Sequence, residues 1–432
     1  MYKGLKYGLI LLATCALFAG CRRASLIPEG EPHPGERVYT GCIPENPDKL
    51  VQMYIDLPND RTPDDIRKED WLHNATIRID ATVNGATSTV YKQEGVKIKG
   101  HGNTTWTSYP KKPYTLKLPV QANFIGTGNT KRWVLLSNWM DRTLLRNDVA
   151  FEAARQTSLE WTPSGTFVNL YLNGEYNGIY WLGEKIHVEG SHFTCDYLYS
   201  YDLSDPNEHD FDTQHGHWKN ATAMGGIPVE LKYPDRDNFS EQEFKQVIDR
   251  AKRALYAIED AVMRGNQPSS VLDLNTLCDW YLINEVFTNN ELIFPKSTFL
   301  YIKNGKLFAG PVWDFDFGTF TPDHHTLSLK SSLYFYQLWT HPEFKKYLKH
   351  RWSIIKPVFQ NLGPYIDKRA SLIRAEENKN HQMWPCYPNP LSENADGKVN
   401  GDELLSFDDA VTRMKQVLMQ RVQDIDTEIN RL

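Results

Sequence analysis

Cysteine is sparse and unpatterned. The six in this 432-residue chain include no C-x-x-C pair, which argues against a zinc cluster. Also missing are G-x-S-x-G, H-E-x-x-H and the Walker A pattern, so serine hydrolase, zincin and P-loop classes have no support. Basic charge is not in excess. The formal balance is −6, and it becomes more acidic if Lys3 and Lys6 leave with a leader, so nucleic acid is not an expected partner. No internal repeat is visible, which sets aside solenoids and propellers.

What is present is ample for folding. Hydrophobic residues make up 41%, enough for one large core or two lobes. Residues 1–20 read as an export signal, with Lys3 and Lys6 ahead of the apolar run Leu9 to Ala19 and then Gly20-Cys21. The run is too short to span a membrane once cleaved. Small residues before a cysteine resemble a lipobox, with Phe18 where Leu is commoner. Cys21 is therefore expected to be the acylated first residue of an exported lipoprotein, anchored facing the periplasm or at the cell surface. Residues 21–48 carry Pro28, Pro32, Pro34, Pro44 and Pro47 and read as an extended tether. Cys42, Cys195, Cys278 and Cys386 are either paired in up to two disulfides or buried thiols.

Strand signals dominate residues 49–190. Ile77, Ile79 and Ala81 alternate with polar residues, as do the segments around Val96 to Lys99 and Tyr114 to Leu118, predicting a largely antiparallel sheet. A helix is predicted from Arg142 to Thr157 with Asp141 as N-cap. A hairpin follows, turned by Asn173-Gly174. In residues 191–432 the helical period takes over, clearest in Val411, Met414, Leu418, Val422, Ile425 and Ile429. The fold class is α+β, a β-rich N-lobe followed by a mainly α C-lobe. Residues 202–217 are dense in acids and histidines and read as a solvated loop insertion, with a metal site as the alternative. The segment Asp396 to Glu403 has a faint look of a calcium loop, but its ligand spacing does not fit.

Several segments carry candidate chemistry. Asp314 and Asp316 end an apolar strand and run into Gly318; two apart in an extended segment, they face the same way and suit a hard cation such as Mg²⁺, or else are solvated acids. Upstream, Gly100, Gly102 and Asn103 form a loop whose backbone can approach phosphate, or a plain hairpin loop. Lys117 lies on the next strand, as a phosphate contact or a solvated charge. Arg146 on the helix is a second phosphate candidate, with a surface ion pair as the alternative. The crossing Gly183-Glu184-Lys185-Ile186 would line a cleft between lobes. Asn289-Asn290-Glu291 follows an apolar helix as a polar loop. Phosphate loop, strand lysine, helix, hairpin, crossing, polar loop and metal-binding Asp occur in the order of a protein kinase.

Gly100-His101-Gly102-Asn103-Thr104-Thr105-Trp106, Pro110-Lys111-Lys112-Pro113-Tyr114, Leu145-Arg146-Asn147, Tyr171 to Tyr180 and Trp313-Asp314-Phe315-Asp316 resemble the signature blocks of the CotH family, the spore-coat protein H-like atypical kinases. The resemblance runs from about residue 50 to the final helix. It implies a divergent kinase-like two-lobe fold, ATP with Mg²⁺, and phosphorylation of Ser or Thr on an unidentified partner protein. Asp314 and Asp316 match the metal-binding pair and Gly102-Asn103 the phosphate loop, with Lys117 and Arg146 as looser matches; Glu184, in the crossing, is a further nucleotide-binding candidate. The catalytic loop departs: where Asn-x-Asp and then Asn are expected, this chain has Asn289-Asn290-Glu291 and Ser297. Glu291 is then the candidate proton acceptor. Two other functions stay open, a non-catalytic envelope or surface binding protein for glycan or protein adhesion, and a metal-dependent phosphoesterase.

Overall fold

The computed structural model describes residues 41–188, 193–202, 217–219, 227–293, 295–322, 325–392 and 394–432. The export signal, Cys21, most of the tether, residues 203–216 of the acid- and histidine-rich stretch, and Asp323-His324 lie outside the described residues.

Seven strands form a closed barrel: β1 (Val51–Asp56), β2 (Leu72–Val83), β3 (Ala86–Gly100), β4 (Tyr114–Ala122), β5 (Thr130–Leu136), β6 (Gly165–Leu172) and β7 (Glu175–Glu184). Their order is β1-β2-β3-β4-β5-β7-β6. All neighbours are antiparallel except β1 and β6, whose parallel pairing of Met53 with Leu170 closes the ring. The sequence predicts five of these strands, β2, β3, β4, β6 and β7, in a largely antiparallel sheet, but neither β1 and β5 nor the closure. Closure rests on a pairing over more than a hundred residues, which periodicity along one strand cannot reveal. Met53, Ile77, Ile79, Ile98, Leu116, Trp133 and Leu170 fill the interior. The β6–β7 hairpin turns at Asn173 (φ 49°) and Gly174 (φ 83°), the left-handed pair a tight two-residue turn requires.

Between β3 and β4 runs a short helix, α1 (Thr104–Ser108), and between β5 and β6 runs α2 (Arg146–Arg155). The latter starts four residues later than predicted. Asp141 instead caps the preceding turn, accepting from Thr143 N at 2.8 Å and Arg146 N at 2.7 Å. The outer faces of β5, β6 and β7 bury Val134, Phe167 and Trp181 against α2 in a second, larger core.

The rest of the chain is less helical than its periodicity suggests. A second sheet is built from β8 (Tyr197–Tyr201), β9 (His217–Lys219), β10 (Pro228–Tyr233), β11 (Thr298–Lys303) and β12 (Lys306–Ala309), in the order β12-β11-β8-β10-β9. The sequence indicates only the last two. The others are short, and helical periods flank them. Around the sheet pack α3 (Glu241–Met263), α4 (Leu274–Val286), α5 (Phe335–Leu338), α6 (Pro342–Gln360), α7 (Gly363–Ile373), α8 (Glu377–Met383) and α9 (Phe407–Asn430). The predicted apolar stripe of α9 is the buried one: Val411, Met414, Leu418, Val422, Ile425 and Ile429 all join the larger core. Cys42, Cys195, Cys278 and Cys386 are free thiols, so the disulfide alternative falls away. No helix among the described residues is long and apolar enough to cross a membrane. The described residues from 41 onward pack as one compact unit.

Candidate functional site

A cleft of about 1100 Å³ lies where the open end of the β3–β4 connection meets β8, β10, the turn after α4 and the segment after β12. Gly100, His101, Gly102, Asn103, Glu291, Asp314 and Asp316 all line it. Five sequence segments far apart in the chain thus converge.

The glycines of the first segment have local reasons. A Cβ on Gly100 would sit 2.5 Å from the Trp106 ring, and Gly102 has φ +75° with Thr105 Oγ1 in the way. Asn103 Oδ1 accepts from Lys68 Nζ at 2.7 Å. His101 Nδ1 lies 3.0 Å from Thr115 Oγ1, and its ring meets Trp313 edge-on at 6.1 Å. Burial, followed by the nearby Lys185, Lys232, Lys99 and Lys68, pushes its pKa down to about 3, so the imidazole is neutral at ordinary pH.

Those lysines make one wall of the cleft strongly basic. Lys232 pairs with Glu230, Arg132 pairs with Asp235 at 2.7 Å, and Lys99 stacks over Trp71 at 5.1 Å. Lys185 is different: among the described residues its ammonium makes no ion pair or hydrogen bond. Burial, then the charges of Lys232, Arg132 and Lys99, lower its pKa to about 7. A half-buried amine surrounded by cations and facing a cleft is an anion site by elementary electrostatics.

Another part of the lining is acidic. Asp314 Oδ2 accepts from Ser297 Oγ at 2.6 Å, and burial followed by Asp316 raises its pKa to about 7. Asp316 rises to about 6 through burial and then Asp141, opposed by a hydrogen bond from Asn147. Glu291 is pushed well above the usual carboxylate range by burial and then by Asp314. Asp314 adopts φ +54°, so the pair is not carried on a regular strand as expected. The left-handed turn, held by Asn147 Oδ1 accepting from Phe315 N at 2.7 Å, still leaves both carboxylates on the cleft.

Three expected residues do not reach it. Lys117 is outside the lining, flanked on neighbouring strands by Lys97 and Arg132. Arg146 is fully buried and bound to Asp141 and Asp402, so its charge is already neutralised. Glu184 is buried at the end of β7, accepting from Ser164 N at 3.2 Å; its neighbour Lys185 faces the cleft instead. Sequence reasoning missed Lys185 and Asn147, although both stood in segments already singled out. One position along an extended or turning backbone exchanges core for cleft.

The profile described as CotH kinase protein matches residues 96–425. The chain belongs to the CotH family. The match spans every segment of the cleft except its first residues, Lys68 and Glu69. No curated protein matches the chain.

Can this CotH cleft suit a hard cation? Among the described residues no group of three or more His, Cys, Asp and Glu is arranged to hold a metal by itself. Mg²⁺, however, is commonly held by one or two carboxylates together with water and substrate phosphates. Asp316 raises the pKa of Asp314, and both raise that of Glu291, so an added cation relieves repulsion among them, and the Asp pair beside Ser297 is an all-oxygen donor set. The residues fit such an ion when phosphate completes it.

Proposed function

We propose that this CotH protein binds ATP with Mg²⁺ in the cleft and transfers phosphate to Ser or Thr of a protein at the cell envelope or surface. The observation that carries the reading is that one cleft is lined both by the basic group around Lys185 and by the acids Glu291, Asp314 and Asp316. In this reading the barrel serves as N-lobe and the remainder as C-lobe of a divergent kinase-like fold. The lipid anchor at Cys21 stands on the leader sequence and would place the cleft outside the cytoplasm.

Asp314 and Asp316 would hold Mg²⁺, which spreads the phosphate charge and lowers the barrier to transfer. Lys185 and Lys99 neutralise phosphate oxygens. Asn147 fixes Asp316 and the amide of Phe315, keeping the pair aimed at the cleft. Glu291 accepts the hydroxyl proton as the hydroxyl oxygen bonds to the terminal phosphorus and the bond to the leaving diphosphate breaks. A nearby divalent cation favours its ionised form against the burial that now opposes it. Its extra methylene, relative to the Asp of the family pattern, shifts the oxygen by ~1 Å, a displacement that can slow transfer ~10²-fold.

The phosphoesterase alternative calls for further ligands near Asp314. His325, the described member of its His pair, is exposed and faces Asp424 at 3.1 Å instead. Melting of the full chain with ATP and Mg²⁺ tests the proposal. Ligand at about 100 times its Kd adds ~2.7 kcal/mol, a rise of a few degrees. A magnesium-dependent rise lost in the Asp314→Ala, Asp316→Ala double variant supports a nucleotide site. No rise at millimolar ATP removes it and favours a non-catalytic binding protein.

A further inference from the structure

The calcium-loop spacing that fails from Asp396 succeeds from Ser392. Ser392 then stands at the first ligand position, Asn394 at the third, Asp396 at the fifth, the Lys398 carbonyl at the seventh, Asn400 at the ninth and Glu403 at the twelfth. Gly397 falls on the sixth, where the loop turns sharply, and has φ +70°. The departure is Ser for Asp at the first position.

Three of these groups, on Ser392, Asn394 and Lys398, meet at one point, and the others are tied to the loop backbone. Ser392 Oγ and Asn394 Nδ2 lie 2.6 and 2.7 Å from the Lys398 carbonyl oxygen. Asp396 accepts from Lys398 N at 3.2 Å and pairs with its Nζ at 3.1 Å. Glu403 Oε1 accepts from Val399 N at 2.5 Å and Asn400 N at 2.6 Å, which folds the carboxylate beneath the loop. Its other oxygen, Oε2, is sealed from water without a partner, and so is Asn400 Oδ1; the two residues are 5% and 1% exposed. A buried carboxylate oxygen with nothing to accept from is costly, and a hard cation relieves it.

We infer that Ser392, Asn394, Asp396, the Lys398 carbonyl, Asn400 and Glu403 hold a calcium ion at a site separate from the Asp314–Asp316 pair. Hydroxyl, amide, carbonyl and only two carboxylate donors match Ca²⁺, not Zn²⁺. With so few charges the affinity falls at the weak end, Kd about 10⁻⁴–10⁻³ M. The loop also braces the cleft: Asn400 Nδ2 donates to Asp316 O at 3.0 Å and Met140 O at 3.1 Å. Calcium ordering the loop therefore steadies the Asp316 backbone. That last link to activity rests on the kinase reading, whereas cation binding does not.

The test is melting of the full chain in chelator, 10 mM Ca²⁺ or 10 mM Mg²⁺. A calcium-specific rise of about 2–3 °C is expected. Asp396→Asn, at an exposed position that folding tolerates, and Glu403→Gln should abolish it, while the Asp314→Ala, Asp316→Ala variant should keep it. No rise in the parent chain overturns the site, as does an equal rise with Mg²⁺. A rise lost in the Asp314, Asp316 variant but kept in Asp396→Asn assigns the ion to the cleft and also overturns it.

Discussion

Lys185 and the carboxylates that share its cleft set the electrostatics there. Removing the Lys185 ammonium takes away a cation with no protein partner, so Lys185→Met should weaken ATP binding about 10–100-fold and leave the melting temperature of the free protein unchanged or higher. Lys117→Met, outside the lining, should leave affinity as it is; titration calorimetry on both variants separates the two lysines. The carboxylates predict a pH dependence. Asp314 and Asp316 have folded pKa values of about 7 and about 6 against an ordinary 3.8, so protonation favours the folded state. The stability they lend is complete below about pH 4 and is lost as pH rises through 6 to 7. In chelator, a variant with both changed to Asn should melt with the parent at pH 4 and several degrees above it at pH 8. Equal melting at both pH values would show that these groups are not desolvated in the folded protein.

At the scale of elements, α2 joins the parts of the molecule through three consecutive side chains. Arg146 binds Asp141 and Asp402, Asn147 holds Phe315 N and Asp316, and Asp148 accepts from Trp181 Nε1 at 2.8 Å, Tyr365 Oη at 2.9 Å and Arg369 Nε at 2.7 Å. The start of one helix therefore ties the calcium-like loop, the Asp pair, the barrel wall and α7 together. Arg146→Met leaves two buried carboxylates unpaired and should destabilise by about 3–5 kcal/mol in urea unfolding. Adding Asp402→Asn should recover part of the loss, which a role of Arg146 in phosphate binding would not produce. The helix itself was legible in the sequence because its apolar residues repeat at helical spacing. That Arg146 turns inward was not, since an arginine on a helix is exposed unless a distant acid, here 256 residues away, comes to meet it.

Across the whole molecule, the barrel is fastened to the C-terminal helices by a buried lysine. Lys111 Nζ donates to Ser137 O at 2.9 Å, to Ile179 O and to Asn380 Oδ1 at 2.9 Å, with the Tyr180 ring 4.7 Å away. Gly178 makes room for this contact: a Cβ there would lie 2.8 Å from Asn380 Oδ1 and 3.0 Å from Lys111 Cε. Two family blocks that look like a basic patch and a hairpin are thus the two halves of one joint. Lys111→Met fills the space but removes the donor shared by Ser137 O, Ile179 O and Asn380 Oδ1, of which the last still accepts from Ile179 N at 2.9 Å. It should cost about 2–4 kcal/mol and loosen the C-terminal region, seen as faster amide exchange around α8.

By itself the sequence determined what depends on near neighbours along the chain. Alternation indicated β2, β3 and β4, Asn173-Gly174 the tight hairpin, and helical spacing the buried face of α9, because side-chain direction follows local backbone geometry. It also indicated the glycine loop, the polar loop and the Asp pair of the cleft, though not its β8 and β10 edge. Only the tertiary structure decided barrel closure, the second sheet, the inward turn of Arg146 and the choice of Lys185 over Glu184 and Lys117. Each of these depends on which groups from far along the chain share a low-dielectric space, and that is fixed when the two cores close, not by spacing along any one segment.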